Sequence, residues 1–291
     1  MNSRKFVLID GTAVLYRSFY AIRELSTSTG KPTNALFGFI RMLKQVKDSW
    51  APTHWAVTFD GGLPKERKAL LKTYKAQRPS MPDALRGQIP LVEDYLGRAG
   101  ISWFRIEGEE ADDIIASLAE KARQDCEAIL IATSDKDIFQ LVDDKIKIIP
   151  VAGKECVLDS EGVKAKTGVL PSQIIDWLSL VGDSSDNIPG VHGVGAKTAA
   201  KLLEQFGGLD ELFVNLSKVT SDRIRKALEQ SRELIERNRA MVRLRRDLEC
   251  SPIWENLEVK APLAGKMLPF FEDMEFHSMA KEIREQELFV L

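Results

Sequence analysis

Cysteine is scarce. The chain has three, Cys126, Cys156 and Cys250, far apart and in no CxxC pair. A disulfide framework is thereby excluded and a reducing compartment indicated. Histidine is equally scarce: His54, His192 and His277 are scattered, which counts against zinc held by cysteine and histidine. Any metal here must be hard and oxygen-ligated. No apolar run approaches the ~18 residues of a membrane span. The apolar stretch at residues 6–9 ends on Asp10, too short and too soon charged for a secretory signal, and reads as a buried strand. A charge excess is lacking too: 41 basic and 43 acidic residues leave −2. As an average, that counts against a nucleic-acid binder. What is there, over 291 residues with 44% hydrophobic and 29% charged, is an ordinary globular chain of one large or two modest domains. A cytoplasmic monomer without a membrane partner is expected.

The first half alternates strand-like and helix-like segments. Strands are expected at residues 6–9, 55–59, 101–106, 128–132 and 145–151, and helices at 33–50 and 110–122. Such alternation predicts an α/β domain with a mostly parallel sheet. From about residue 167 the pattern is helical: an amphipathic helix at 172–181, a glycine- and aspartate-rich segment at 182–195, a helix at 196–205 and a long charged helix at 222–246. The expected domains are 1–166 and 167–291.

In an open parallel sheet, ligands bind beyond the carboxyl ends of the strands. Three expected strands run into aspartate there, at Asp10, at Asp60, and at Asp135 with Asp137 two residues on. Glu110, Asp112 and Asp113 open a helix. Singly, each has an ordinary explanation as a helix cap or a partner for the helix dipole. Together they would repel one another unless a cation neutralises them. All-oxygen ligation indicates Mg2+ or Mn2+, and two such ions would suit phosphodiester hydrolysis. The second domain adds Asp183 and Asp186, followed at once by a glycine-rich run. There Gly190, Gly193 and Gly195, with Lys197 and Thr198 opening the next helix, form a helix-hairpin-helix pattern whose amides can bind a phosphate.

These stretches resemble the 5′-nuclease family, most closely the 5′-nuclease domain that begins bacterial DNA polymerase I. The likeness rests on Asp10-Gly11 with Leu15-Tyr16-Arg17, Thr58-Phe59-Asp60, Tyr74-Lys75-Ala76-Gln77-Arg78-Pro79, Glu110 to Ile115, Ser134 to Asp137, and Leu180 to Val191. It runs in order from about residue 5 to about residue 280. The resemblance implies a PIN-like, mostly parallel sheet flanked by helices, a helical arch at about 61–90 and a helical H3TH domain. It implies cleavage of DNA at 5′ flaps and 5′ ends, RNA primer–DNA hybrids included. It puts metal-site carboxylates on Asp10, Asp60, Glu110, Asp112, Asp113, Asp135, Asp137, Asp183 and Asp186, and a potassium ion in the hairpin. Glu66 stands where the family often has Phe, and Ser134 where Gly is common; neither removes a carboxylate. No polymerase follows residue 291, so a free-standing nuclease working beside a separate DNA polymerase is expected.

Residues 63–90 hold seven basic side chains against two acidic ones, and Tyr74, which can stack on a base. In the family reading this is the arch, with Lys75 and Arg78 at the scissile phosphate and Arg17 and Arg67 on neighbouring phosphates. Residues 218–246 hold ten basic side chains against four acidic. Two other readings stay open: a DNA-binding protein without catalysis, and a ribonuclease on a related fold. With the nine carboxylates set aside, 34 of the 43 acidic residues face 41 basic ones, a balance of +7. The distribution of charge favours nucleic acid where its average did not.

Overall fold

The computed structural model describes residues 4–151, 156–261 and 263–288, of which 286–288 by backbone only. Five parallel strands form the central sheet: β1 (Lys5–Asp10), β2 (His54–Thr58), β3 (Trp103–Phe104), β4 (Ala128–Ala132) and β5 (Ile146–Ile149), in the order β3-β2-β1-β4-β5. Ile9 pairs with Val57 on one side and Ala132 on the other, so the ends of β1, β2 and β4 share one edge. The strands are continuous apolar runs because both faces are covered, as parallel sheets require. Val7 and Ile9 point to one face, Phe6 and Leu8 to the other.

The helices between the strands are α1 (Gly11–Ala21), α2 (Asn34–Trp50), α3 (Lys65–Leu70), α4 (Asp83–Arg86), α5 (Ile89–Ala99) and α6 (Ala111–Ala122). After β5 come α7 (Ser160–Thr167), α8 (Ile174–Val181), a two-residue hairpin of β6 (Gly182–Asp183) with β7 (Ile188–Pro189), α9 (Ala196–Phe206), α10 (Leu209–Val214), α11 (Asp222–Gln230) and α12 (Arg232–Val242). The chain ends with α13 (Trp254–Leu257), α14 (Ala264–Asp273) and α15 (His277–Leu288). No helix of the described residues is long and apolar enough to cross a membrane.

The parallel sheet and the helical second half agree with the sequence reading; three details differ. The expected strand at 101–106 is ordered as strand only at Trp103 and Phe104, because it is an edge strand held on one side. The expected helix at 222–246 is two helices with a break at Ser231, which lets Ile224 and Leu228 on one piece and Ile235 and Met241 on the other all reach the core. Residues 243–248 have neither helix nor strand. Finally, residues 254–288 leave the hairpin region and return to the sheet domain: Val259 N–H bonds Thr53 O, and Met267, Phe270 and Phe271 join the core around Val7 and Ile9.

The segment between β2 and α5 crosses the sheet edge and is tied down at both feet. At one foot Arg67 is buried among acidic side chains. At the other Gln88, 1% exposed, accepts the N–H groups of Ala35 and Leu36 at the start of α2 and donates to Asn34 Oδ1 and Ala84 O. Thr33 makes no side-chain cap there, so Gln88 supplies the cap from a distance of more than one element. Gln88→Leu is expected to leave those amides unpaired and cost about 1–3 kcal/mol, read from the urea midpoint. An unchanged midpoint would remove Gln88 as an anchor.

Candidate active site

Parallel pairing brings Asp10, Asp60 and Asp135 to one edge, and the N-terminus of α6 lies across it. Asp10 caps α1, with Oδ1 accepting Ala13 N–H at 2.9 Å and Oδ2 accepting Thr133 Oγ1–H at 3.1 Å. Asp60 Oδ1 accepts Ala111 N–H at 2.8 Å, and its own N–H donates to Thr12 Oγ1 at 3.0 Å. Asp135 Oδ1 accepts Asp137 N–H at 2.9 Å. Each carboxylate is thus held by the first turn of a helix or by a tight turn, which is why the motifs are short and local. Asp10, Asp60, Glu110, Asp112 and Asp135 line a cavity of about 400 Å3 together with Tyr16, Tyr20, Lys75 and Arg78. A larger groove of about 570 Å3, lined by Phe37, Trp55, Tyr95 and Met279 among others, holds none of the nine carboxylates.

The second domain completes the edge. Asp137, Asp183 and Asp186 each offer an oxygen within 4.8 Å of the others. Asp183 is held by Ser185 N–H and Oγ–H at 2.9 and 2.7 Å. The loop that carries Asp186 meets the turn at 73–78: Lys75 N–H donates to Asp186 O at 3.0 Å, and Asn187 Nδ2–H to Thr73 O at 2.8 Å. Lys75 and Asn187, on these facing loops, have φ of 53° and 59°. Non-glycine residues are uncommon there, and here both are fixed by the contact between loops.

The electrostatics divide the acids in two. Burial raises Asp10 to about 7, opposed by the Ala13 amide and reinforced by Asp60 and Asp135. Burial also raises Asp60, which still opens on the cleft, and Asp135. Asp112 and Asp137 are pushed well above the carboxylate range, first by burial and then by Asp135 in both cases. In contrast, burial of Glu110 is outweighed by Lys75 and Arg67, and its pKa is lowered. Asp183 is lowered too, because its bonds to Ser185 and the charge of Lys136, 3.3 Å away, outweigh burial.

The donor set fits divalent cations. It is all oxygen, Asp137 Oδ1 is buried without a hydrogen-bond partner, and the raised acids carry more mutual repulsion than nearby cations relieve. Asp137, Asp183 and Asp186 could hold one ion between them, and Asp10, Asp60, Asp112 and Asp135 line the adjoining cavity with further carboxylates.

Several expected roles are relocated by the structure. Arg67, expected on a phosphate, is 7% exposed and bonds Glu110, Asp113, Met241 O and Arg243 O, so it has no free donor for DNA. Tyr74, expected to stack on a base, is 2% exposed, with its hydroxyl donating to Glu110 at 2.9 Å and lying 3.2 Å from Asp186, and its ring 5.0 Å from Lys75 Nζ. Asp113, expected at a metal, is fully buried on Arg67, away from the cleft. Lys75 does reach the site, bonding Glu110 and lying 3.4 Å from Asp186, and Arg78 bonds Asp186 at 2.6 Å. Arg17 is exposed on α1 and borders a small groove with Thr133 and Ser134.

The hairpin turn lies between α8 and α9. A Cβ at Gly190 would stand 2.1 Å from Val181 O, so only glycine fits. Gly193 has φ 79° and is exposed, as are Gly195 and Lys197, while Thr198 is half-buried. Three residues that hold the site escaped the sequence reading. Lys136 lies inside the Asp135 motif and was legible from that. Asn238 donates to Ser179 O and Pro189 O, and Gln140 bonds Val242 O; both are non-local and left no local signal.

A family model described as the 5′-3′ exonuclease N-terminal resolvase-like domain matches residues 5–168, and one described as the 5′-3′ exonuclease C-terminal SAM fold matches 169–264. A 5′-3′ exonuclease of Aquifex aeolicus is 38% identical over 276 residues, covering 95% of this chain and 94% of the relative. DNA polymerase I of Pseudomonas aeruginosa is 38% identical over 291 residues, covering 97% of this chain and 32% of the polymerase. The chain therefore spans about a third of that relative and nearly all of the first. Among solved structures, a bacteriophage T5 flap endonuclease in a pseudo-enzyme-product complex with DNA and metal ions aligns at TM-score 0.69 and 21% identity, over 97% of this chain and 98% of that one. The catalytic core of Rad2 in complex with DNA substrate aligns at TM-score 0.64 and 19% identity, over 97% and 92%. At such identities the likeness is one of fold.

Protonated, the raised acids stabilise the metal-free protein. For Asp10 that contribution is complete below the ordinary carboxylate range and is lost as pH rises through about 7. With chelator present, the melting temperature is expected to fall between about pH 5 and about pH 8, and Mg2+ or Mn2+ to restore it most at the higher pH. A steady rise over that range in chelator would contradict the electrostatics described.

Proposed function

The chain belongs to the 5′-3′ exonuclease family, and on that premise we propose that it is a structure-dependent 5′ nuclease. It hydrolyses DNA phosphodiesters at 5′ flaps and 5′ ends with two or more divalent ions, leaving a 5′-phosphate and a 3′-hydroxyl. The observation that carries this reading is the convergence of carboxylates from three strand ends, α6 and the Asp183–Asp186 loop, faced by Lys75 and Arg78. Mg2+, with Mn2+ as substitute, is the ion such carboxylates favour for work on phosphates. When bound, the ions supply an acidified water and neutralise charge on the reacting phosphate.

The chain's own residues do the rest. The Ala13, Ala111 and Asp137 amides fix the orientation of Asp10, Asp60 and Asp135. Burial would lower the pKa of Lys75, but Glu110 and Asp186 raise it, so the side chain stays charged and acts as an electrostatic clamp, not as a base. Lys75 and Arg78 lie where a phosphate entering the cleft meets them, and cations there stabilise charge that develops in the transition state. The turn at 190–195 and the start of α9, where Gly195 caps without a side-chain bond, leave amides for duplex phosphates, with Lys197 beside them. The same turn offers carbonyls and no carboxylate, the ligand set of a weakly charged ion such as potassium. Removal of flaps and RNA primers in replication and repair, as a monomer beside a DNA polymerase, is the setting that follows. It draws support from relatives named DNA polymerase I that contain this length of chain.

The test is a 5′-flap duplex with Mg2+, compared with single-stranded RNA. Cleavage at the junction that EDTA stops is expected; an intact flap, or a preference for the RNA, would sink the reading. Asp112→Ala and Asp135→Ala should abolish cleavage while retaining flap binding. Arg78→Ala should lower kcat by about a hundredfold or more. Flap affinity should fall steeply with salt through counterion release, and an affinity indifferent to salt would exclude the phosphate contacts proposed.

A further inference from the structure

We propose that Asp113 is a positioning residue and not a metal ligand: with Arg67 it locks the foot of the arch and the strap after α12 onto the helix that carries Glu110 and Asp112. This rests on the nuclease reading for its consequence, but not for its geometry.

Asp112 and Asp113 are neighbours on α6, and a helix turns about 100° per residue, so the two carboxylates leave it in different directions. Asp112 faces Asp10, Asp60, Asp135 and Asp137. Asp113 is 0% exposed, and both its oxygens are engaged. Oδ2 accepts Arg67 Nη1–H at 2.6 Å, and Oδ1 accepts Arg67 Nη2–H at 2.9 Å and Arg245 N–H at 2.8 Å. Arg67 spends its other donors on Glu110, Met241 O and Arg243 O, so each of its five N–H groups has an acceptor. For Asp113 to ligate an ion it would have to release Arg67, leaving a buried guanidinium uncompensated.

The pair also closes a gap in the backbone. Residues 243–248 follow α12 without helix or sheet, so their buried amides and carbonyls, like the last carbonyls of α12, need side-chain partners. Arg67 takes Met241 O and Arg243 O, and Asp113 takes Arg245 N–H. Gln140, just after Asp137, takes Val242 O and Leu244 N–H, and Ser117 takes Arg245 O and Leu248 N–H. One strap is thereby buttoned to α3, α6 and the segment carrying Asp137. Arch, acidic helix and hairpin domain are set against one another through it.

The experiment uses the full chain and reads three quantities: Mn2+ binding by electron paramagnetic resonance, hydrogen exchange at residues 65–70, and kcat and KM on flap DNA. Asp113→Asn is expected to bind Mn2+ within about twofold of wild type, whereas Asp112→Asn loses an ion or at least about tenfold in affinity. Asp113→Asn should speed exchange at 65–70 and lower kcat by about a hundredfold with KM little changed, the signature of misplacement. Arg67→Met should match it, and the double variant should be no worse than either single, as for a coupled pair. Asp113→Glu keeps the charge beside Arg67 and serves if the amide variant does not fold; it too should retain Mn2+ while losing kcat. Loss of Mn2+ binding in Asp113→Asn or Asp113→Glu, or losses that multiply in the double variant, would overturn the proposal. An inactive wild type would instead remove the nuclease reading, and the Mn2+ and exchange results would still decide the role of Asp113.

Discussion

Carboxylates gathered at one sheet edge repel one another, and the rest of the structure is arranged to keep them there. Repulsion of this kind is unfavourable at neutral pH unless burial, hydrogen bonds or cations alter the charge. All three appear here, on different members of the set. Asp10, Asp112 and Asp137 are raised by burial and by their neighbours. Asp183 is lowered by Ser185 and Lys136, and Glu110 by Lys75 and Arg67. Such a site is stable only as part of a scaffold stiff enough to oppose its opening. The continuous apolar strands β1, β2 and β4, buried on both faces, provide that stiffness.

Much of this was legible in the sequence because it is local. A strand that ends on aspartate, followed by the first turn of a helix, is written in consecutive residues. So are the glycines at 190, 193 and 195, the first of which has no room for a Cβ. The site could be read from motifs because each carboxylate is oriented by its own turn and needs only the parallel order of the strands to meet the others.

What was not legible is what depends on partners far along the chain. Arg67, Tyr74 and Asp113 occur in motifs that read as DNA or metal contacts, yet their partners are buried side chains and a backbone strap some 130 to 176 positions away. Residue type alone does not separate an arginine for a phosphate from an arginine for a buried carboxylate, since both need the same planar fork. The return of α14 to the first core was hidden for a similar reason: the amphipathic period shows that a face will be buried, but not against what. The break at Ser231 carries no glycine or proline signal, and only the core it serves explains it.

These non-local contacts give the arch an unusual constraint. Its feet, at Arg67 and Gln88, are buried and fully bonded, while Lys72, Thr73, Ala76 and Gln77 between them are exposed. Lys75 and Arg78 reach from that exposed span to Glu110 and Asp186. On the nuclease reading, a phosphate entering the cleft would bring negative charge to these same two cations, whose present partners are carboxylates suited to holding cations. Fixed feet allow the exchange of partners to occur within the span, without moving α3 or α5. On the nuclease reading, a strand admitted beneath this span would leave the carboxylates in position, a requirement for any chemistry that tolerates little displacement of the reacting groups. Buried anchors on either side of an exposed span are what the nuclease reading requires for holding a flexible polymer over a site that must not move.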